Sequence, residues 1–448
     1  MKRSKIFSLQ DKSFISSPLV SIIMYKSHSH SSSTRWITLV ATIFIQFCLG
    51  SAYTWSLYNQ AFATRLNHPV SEVAFTFALL CLFLSLSSTV SGKLQDRIGT
   101  KKTAVLAGVM LGGSYVLSAF VPNLISLYLI AGVCVGCAEG VGYLPTLSNC
   151  VRWFPERKGM ISAVVVGSYG LGSLGFKYIN SYLLERFGLS GTFVVLGLLT
   201  GSVIALCALT LTDAPATDAL AVENRAATSR TRSPAKRQYN LTECLHVRQY
   251  WMLTLIFLSS CIGGVFVLGT AKDLGQTLAG LSALSAAQGV AVIAATNLAG
   301  RLLMGYFSDK VKRIRVISFG QGLALLGLTL LVFFPLSKGV FFFAIACVVF
   351  NFGGTVSVYP ALVGDYFGMN NVSKNYGGIY LCFGFGGIIG LIITSLLKDF
   401  TPTLLLAFVL TVVAFVTSFL VSPPDEGKKK WASSGKLNFT GKMQSSKI

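Results

Sequence analysis

Residues 297–315 read NLAGRLLMGYFSDKVKRIR, so an arginine lies inside an apolar run just before a basic turn. The second part of this stretch, GYFSDKVKRIR (305–315), recurs in altered form as GKLQDRIGTKK (92–102), 213 positions earlier. In both copies an aspartate follows the first glycine by four residues. This spacing predicts a chain built from two related halves.

The composition places the two halves in a membrane. The chain has 448 residues, of which 53% are hydrophobic and only 12% are charged, whereas soluble domains carry about 25% charged residues. A helix needs roughly 20 apolar residues to cross the hydrocarbon layer. Twelve such runs are present, and they predict an all-α membrane protein with two pseudo-symmetric six-helix bundles. The runs are 36–59, 72–92, 103–121, 124–148, 159–181, 191–211, 250–271, 284–306, 315–335, 339–363, 376–397 and 402–421.

The distribution of the net charge of +21 along the chain indicates on which side of the membrane each connection lies. Of the 37 Lys and Arg residues, 30 lie in tails and connections that fall on one side of the predicted spans. Basic connections remain in the cytoplasm, so both termini are predicted to be cytoplasmic in a multi-pass protein of the cell inner (plasma) membrane. A nucleic-acid partner is not expected, because no connection is long enough for a basic folded unit.

The same pattern divides the chain into five segments. We expect a disordered basic cytoplasmic tail (1–35), a first bundle (36–211), a cytoplasmic linker (212–249), a second bundle (250–421) and a basic tail (422–448). Either Met1 or Met24 can be the natural start. Cys134 and Cys137 have CxxC spacing but neither a histidine nor a second pair, so no metal or other cofactor is expected.

Arg301 is the principal candidate for binding a ligand. An ionised side chain in an apolar span is costly unless it has a partner or a ligand. Asn297 lies one turn earlier, on the same helical face. The alternative is that Arg301 reaches back to the basic turn and braces Asp309.

Glu139 is the candidate for binding a proton. It lies inside the fourth span, with Tyr143 and Thr146 on the same helical face. A carboxylate that is charged and unpaired is costly there, so Glu139 is expected either to take and release a proton or to be held by a fixed ion pair or by a hydrogen bond to a neighbouring helix.

Other spans add aromatic and basic candidates. Tyr53 follows Gln46 by seven residues in the first span and is expected on the same face, whereas Trp55 and Tyr58 are assigned to the aromatic belt at the membrane interface. Tyr169 and Lys177 lie in the fifth span and Tyr380 in the eleventh. Lys177 either reaches the site or extends to the outer interface.

The turn after the second span resembles a family signature. Gly92, Leu94, Asp96, Arg97, Gly99 and Lys101 match the pattern of the major facilitator superfamily between spans two and three, and residues 305–315 are similar to its weaker second copy. The resemblance implies a secondary transporter whose two halves rock about a central site. It also implies that these two turns lock the cytoplasmic side; the candidate gating residues are Gly92, Asp96, Arg97, Gly99, Gly305, Asp309 and Arg315.

Within this superfamily, the chain resembles the oxalate/formate antiporter group and its bacterial pyruvate or monocarboxylate members. The similarity rests on GSAYTWSLYN, LSNCVRWFPERKG, GSYGLGSLGFK, AGRLLMGYFSDK and KNYGGIYL. The group's span-eight arginine, which binds the substrate carboxylate, corresponds to Arg301. Where the oxalate carrier has a lysine in span eleven, this chain has Phe383. A dianion needs roughly two cations, so this difference favours a monocarboxylate unless Lys177 supplies the second charge.

Together these observations predict a monomeric transporter of small organic anions such as pyruvate, lactate or formate, coupled to protons or working by exchange. The predicted substrate-binding residues are Arg301, Tyr53, Tyr143, Tyr169, Asn297, Tyr380 and Lys177, and Glu139 is predicted to couple proton movement. An oxalate/formate-type antiporter, a proton-coupled drug or sugar exporter and a carboxylate sensor remain alternatives. An enzyme is not expected, because no arrangement of nucleophile, base and oxyanion donors is apparent.

Overall fold

The computed structural model describes residues 18–215, 237–397 and 399–424, and these ranges are almost entirely helical. Residues 18–35 of the tail that the sequence predicts to be disordered are helical, whereas most of the linker and of the C-terminal tail lies outside the described residues. The first span, α1 (Pro18–Leu49), continues into a 3₁₀-helix (Gly50–Leu57) and a short helix (Asn59–Leu66). A second short helix, Leu241–Leu245, precedes the second half.

Two of the longest helical stretches each contain two helices. In Val70–Ser118, Gly99 has φ +81° and separates α2 (70–98) from α3 (100–118). In Lys158–Leu209, Gly188 has φ +63° and separates α5 (158–187) from α6 (189–209). Glycine adopts positive φ without the penalty that a Cβ imposes. The chain thus reverses direction at a single residue, where the sequence predicted longer connections.

The remaining spans agree with the predicted positions. Span α4 is composed of Leu124–Leu127, a π-helical segment Tyr128–Cys134 and Val135–Trp153. The second half contains α7 (Arg248–Leu278), α8 (Ala283–Lys310), α9 (Arg313–Phe333), α10 (Lys338–Phe367), α11 (Val372–Leu397) and α12 (Thr401–Leu420). In the described part of the chain, eight stretches are long and apolar enough to cross a membrane. Two of these are the double helices, and α8 and α11 complete the twelve predicted spans.

Small residues allow the helices within each half to approach closely. A Cβ added at Gly112 in α3 would lie 2.7 Å from the carbonyl oxygen of Gly197 in α6. In the second half, a Cβ at Gly300 in α8 would lie 2.2 Å from the carbonyl oxygen of Phe350 in α10. Backbone-to-backbone packing of this kind is typical of helices in membranes.

The two halves meet at one end of the molecule, which we call the basic side because the turns 93–102, 152–158 and 310–315 lie there. Span α2 packs against α11, where a Cβ at Gly92 would lie 3.0 Å from the backbone nitrogen of Lys374. Span α5 packs against α8, where a Cβ at Gly305 would lie 2.2 Å from the Cβ of Ala163. The α5–α8 contact continues from there to the middle of both helices, where Gly170 meets Arg301.

Candidate functional site

Arg301 lies at the middle of α8, at the interface between the halves. Its side chain is buried, with 6% exposure, and its Nη1 donates a hydrogen bond to the carbonyl oxygen of Val166 in α5 at 2.5 Å. One turn further along α5, Gly170 leaves room for the guanidinium, because a Cβ there would lie 2.9 Å from Nη1. The guanidinium Nε has no hydrogen-bond partner.

Arg301 has no acidic partner among the residues that the structure describes. The alternative that Arg301 braces Asp309 is wrong, because Asp309 pairs with Arg313 at 2.6 Å. A guanidinium has five N–H donors in a planar fork, and this fork matches the two oxygens of a carboxylate. Most of that hydrogen-bonding capacity is left for a ligand.

Four predicted tyrosines converge from four helical segments. The ring of Tyr169 lies 5.0 Å from Tyr53 and 5.5 Å from Tyr143, both edge-to-face. Tyr143 in turn stacks on Tyr380 at 5.3 Å, which carries the cluster from the first half into the second. Tyr169 directly precedes Gly170, which meets the Arg301 guanidinium. The structure therefore brings these tyrosines and Arg301 together.

The cluster extends over residues that the sequence analysis did not select. Tyr380 stacks on Phe383 at 5.2 Å and contacts Tyr376 at 5.5 Å, and Tyr376 contacts Phe257 of α7 at 5.9 Å. Tyr376 precedes Tyr380 by one helical turn, so this spacing was a usable signal. Phe257 has no such signal within its own helix.

Glu139 is fully buried in α4. Its Oε2 accepts a hydrogen bond from the hydroxyl of Tyr169 at 3.0 Å, and its Oε1 has no partner. Within the described ranges no cation pairs with it, so the alternative of a fixed ion pair is not found there. The hydrogen bond from Tyr169 of α5 does match the other alternative, a bond to a neighbouring helix. Tyr169 therefore contacts both the buried acid and the aromatic cluster beside Arg301.

The two polar candidates Asn297 and Lys177 differ in burial. Asn297 is buried, with 8% exposure, one turn before Arg301, and its Nδ2 has no hydrogen-bond partner. Lys177 is exposed, and it lies two helical turns after Gly170 on the same face of α5. Its assignment as a substrate-binding candidate therefore stays a prediction.

The first span also differs from the sequence expectation. Gln46 lies in the α-helix and donates to the carbonyl oxygen of Tyr143 at 3.1 Å, but Tyr53 lies in the 3₁₀-helix that follows. A shared helical face does not explain their positions, because the helical period changes between them. The assignment of Trp55 and Tyr58 to the interface is wrong: each is only 2% exposed and packs on Phe193, with ring centroids at 6.0 and 4.7 Å.

Charged residues join the two halves at the basic side, and we call this group the basic-side latch: Asp96, Lys158, Asp309, Arg313, Asp365 and Lys374. The Asp309 carboxylate accepts hydrogen bonds from the backbone N–H groups of Gly159 and Met160, both at 2.8 Å. These groups open α5, where an anion interacts favourably with the helix dipole. Asp309 of the second half thus caps a helix of the first half.

Further ion pairs complete the basic-side latch. Arg313 bridges Asp309 and Asp365, and Lys158 lies 3.4 Å from Asp365. On the α2–α11 side, Asp96 pairs with Lys374, so this gating candidate joins the two halves.

Two charged residues among the gating candidates lie outside the basic-side latch. Arg97 and Arg315 are exposed, and in the described segments neither forms an ion pair. Arg313 occupies the position expected for Arg315, because it follows Asp309 by four residues and so faces it. Gly99 allows the turn between α2 and α3, where the backbone N–H of Thr100 donates to Asp213 at 2.9 Å.

Comparison with known proteins adds an independent line of evidence. A family model described as Major Facilitator Superfamily matches residues 36–368 and 298–444. The uncharacterized MFS-type transporter YhjX of Escherichia coli (strain K12) is 51% identical over 360 residues, which cover 80% of this chain and 87% of that protein. The oxalate:formate antiporter of Oxalobacter formigenes is 26% identical over 401 residues, covering 87% and 92%. The crystal structure of the transporter FucP from the same superfamily, in its outward conformation, superposes with a TM-score of 0.65 at 11% identity, covering 86% of this chain and 98% of that one.

Proposed function

The chain belongs to the Major Facilitator Superfamily and is a secondary transporter, not an enzyme; from this premise we propose that it carries small monocarboxylates such as pyruvate, lactate or formate. The proposal places it in the cell inner membrane with its basic side in the cytoplasm, as the distribution of Lys and Arg favours.

The unpaired guanidinium of Arg301 is the observation that carries the proposal. A buried cation without an internal counter-ion is costly. A substrate carboxylate supplies the missing charge and accepts the free N–H groups in a bidentate geometry. Asn297 offers a second free donor, its Nδ2, one turn away. Tyrosine rings around this point supply an apolar wall with hydroxyl groups for a substrate of a few carbon atoms.

The charge of the site favours a monoanion over a dianion. Lys177 is exposed, and Phe383 stacks on Tyr380 where the resemblance would require a lysine. One cation compensates one carboxylate, and a second carboxylate would remain charged and unpaired among aromatic rings. The likeness to an oxalate:formate antiporter keeps exchange of formate or oxalate as the second candidate activity.

Alternating access follows from the position of the site between the halves. The basic-side latch and the α5–α8 contact close the basic side in this structure. Release of substrate to that side requires the latch to open, whereas Arg301 remains at the pivot. Each half of the molecule contributes groups to the substrate, so binding can bias the two arrangements.

Glu139 is proposed to couple proton movement to this cycle. Burial without a cation disfavours the charged carboxylate. The hydrogen bond from Tyr169 links Glu139 to the ring cluster beside Arg301. Substrate binding at Arg301 can therefore change whether Glu139 holds a proton.

Counterflow in proteoliposomes tests the proposal. Purified protein is reconstituted with unlabelled pyruvate inside, and uptake of labelled pyruvate, lactate, formate or oxalate is measured with and without a pH gradient. We expect monocarboxylates to exchange and oxalate to exchange poorly. Arg186→Gln serves as the matched control, because it removes an exposed cation near the end of α5 that is not a candidate site residue. Exchange of neutral sugars or drugs without carboxylate exchange would refute the proposal.

A further inference from the structure

A surface groove lies between α9 and α12, near their ends on the basic side. We call it the 9/12 groove; it has a volume of about 540 Å³ and is lined by Arg315, Phe319, Gly322, Leu323, Phe415 and Phe419. Phe319 and Phe419 are strongly exposed, so the groove opens toward the surrounding lipid. Alongside it, the hydroxyl of Ser418 donates to Ser318 at 2.8 Å and joins the two helices.

Arg315 is the charged member of an otherwise apolar groove. It is exposed and forms no ion pair within the described chain. The nearest acids along the chain do not neutralise it, because Asp309 and Asp365 are both bound to Arg313. Among the described residues its guanidinium therefore has no counter-ion and can accept an anion at the level of the membrane surface.

A second groove on the same surface provides a comparison. It lies between α1 and α6, has a volume of about 520 Å³ and includes Trp36, Val40 and Phe44. The adjacent arginine, Arg35, is neutralised by Glu156 at 2.9 Å. The two grooves are thus similar in size and apolar character, but they differ in that the described residues pair the arginine beside the α1–α6 groove and leave Arg315 without a counter-ion.

The length of the 9/12 groove fits one leaflet. Arg315 and Leu323 are eight residues apart on α9, which corresponds to about 12 Å along a helix. One leaflet of the hydrocarbon layer is about 15 Å thick. Gly322 leaves space at the inner end, where an added Cβ would lie 3.2 Å from the ring of Phe415.

We propose that the 9/12 groove binds one anionic phospholipid, with the phosphate on Arg315 and an acyl chain between α9 and α12. Arginine pairs with phosphate in a bidentate fashion, and basic pockets between membrane helices bind anionic head groups. This site is separate from Arg301 and does not depend on the identity of the transported substrate.

Native mass spectrometry of the purified full-length protein tests this proposal. The protein in neutral detergent is titrated with phosphatidylglycerol or phosphatidylcholine that carry identical acyl chains. We expect wild type to bind one phosphatidylglycerol in preference to phosphatidylcholine. Arg315→Gln should weaken phosphatidylglycerol binding about five-fold, the factor that corresponds to about 1 kcal/mol for one basic residue.

Two further variants separate the groove from the basic surface as a whole. Lys312→Gln removes an exposed cation of the same turn that does not line the groove, and it should bind phosphatidylglycerol as wild type does. Gly322→Leu fills the inner end and should weaken binding although Arg315 is intact. Equal binding of both lipids by wild type would overturn the proposal. An equal loss in Lys312→Gln and Arg315→Gln, or a dimer in place of lipid adducts, would also overturn it.

Discussion

Replacing Arg301 by glutamine should abolish carboxylate binding without destabilising the protein. These two effects diverge because the guanidinium makes one hydrogen bond inside the protein, to Val166, and has no carboxylate partner in the described residues. A structural arginine in an ion pair would behave in the opposite way. Breaking a buried ion pair costs about 3–5 kcal/mol, because it leaves an unpaired charge behind.

The magnitudes can be estimated from these contacts. Loss of the bond to Val166 costs about 1 kcal/mol, and removal of an unpaired buried charge offsets that cost. A carboxylate held by two charge-assisted hydrogen bonds gains about 1.5–3 kcal/mol from each. Losing both corresponds to about 10²- to 10⁴-fold weaker binding. Arg301→Lys keeps the charge but not the planar fork, so its affinity should be intermediate.

Two measurements on the same samples check this prediction. Binding of labelled pyruvate is measured in detergent, and thermal unfolding is followed without ligand; Arg186→Gln, which removes an exposed cation near the end of α5, is the control in both. We expect Arg301→Gln to lose binding while its unfolding temperature stays at or above that of wild type. Unchanged binding, or a loss of stability of several kcal/mol, would refute the assignment of Arg301 to a ligand.

Three other variants test the remaining parts of the mechanism. Glu139→Gln keeps the size of the side chain and an acceptor for Tyr169, but the amide cannot release a proton. Substrate exchange should therefore survive, whereas uptake driven by a pH gradient should be lost. Gradient-driven uptake in this variant would exclude Glu139 from proton coupling. Tyr169→Phe keeps the ring contacts and leaves Oε2 of Glu139 without its donor, at a cost of about 1–3 kcal/mol. The pH profile of substrate uptake should therefore shift, and an unchanged profile would argue against a role of the Tyr169–Glu139 hydrogen bond in coupling. Asp309→Asn weakens the acceptor of the Gly159 and Met160 N–H groups. The rate of hydrogen–deuterium exchange at these two amides should rise about 10- to 100-fold, as expected for a loss of about 1.4–2.8 kcal/mol. Asp399→Asn, at an exposed site outside the basic-side latch, is the control, and equal exchange rates in both variants would contradict the capping role of Asp309.

The architecture can be predicted from the sequence because the apolar runs and the repeated turn that indicate it are local features of the chain. Crossing the hydrocarbon layer requires an apolar run of about 20 residues, which can be read from the chain without knowledge of any neighbour. The repeated glycine–aspartate turn likewise marks corresponding points of two halves. A lone arginine in such a run stands out for the same reason, so Arg301 and Glu139 were found before any coordinates.

Orientation around each helix was harder to predict. Lys177 and Arg301 are both cations within apolar helices, but one is exposed and the other is buried at the interface. Trp55 and Tyr58 have the composition of an interfacial belt but pack on Phe193. Composition is the same for an inward and an outward side chain; only packing against other helices distinguishes them.

The sequence by itself determined that the chain crosses the membrane twelve times in two related halves, because span length and repeats are properties of contiguous residues. Only the tertiary structure decided that Tyr169 joins Glu139 to the rings beside Arg301. It also decided that Arg313, and not Arg315, binds Asp309. These contacts depend on how helices distant in the chain are rotated and spaced against one another, and that geometry results from packing summed over both halves.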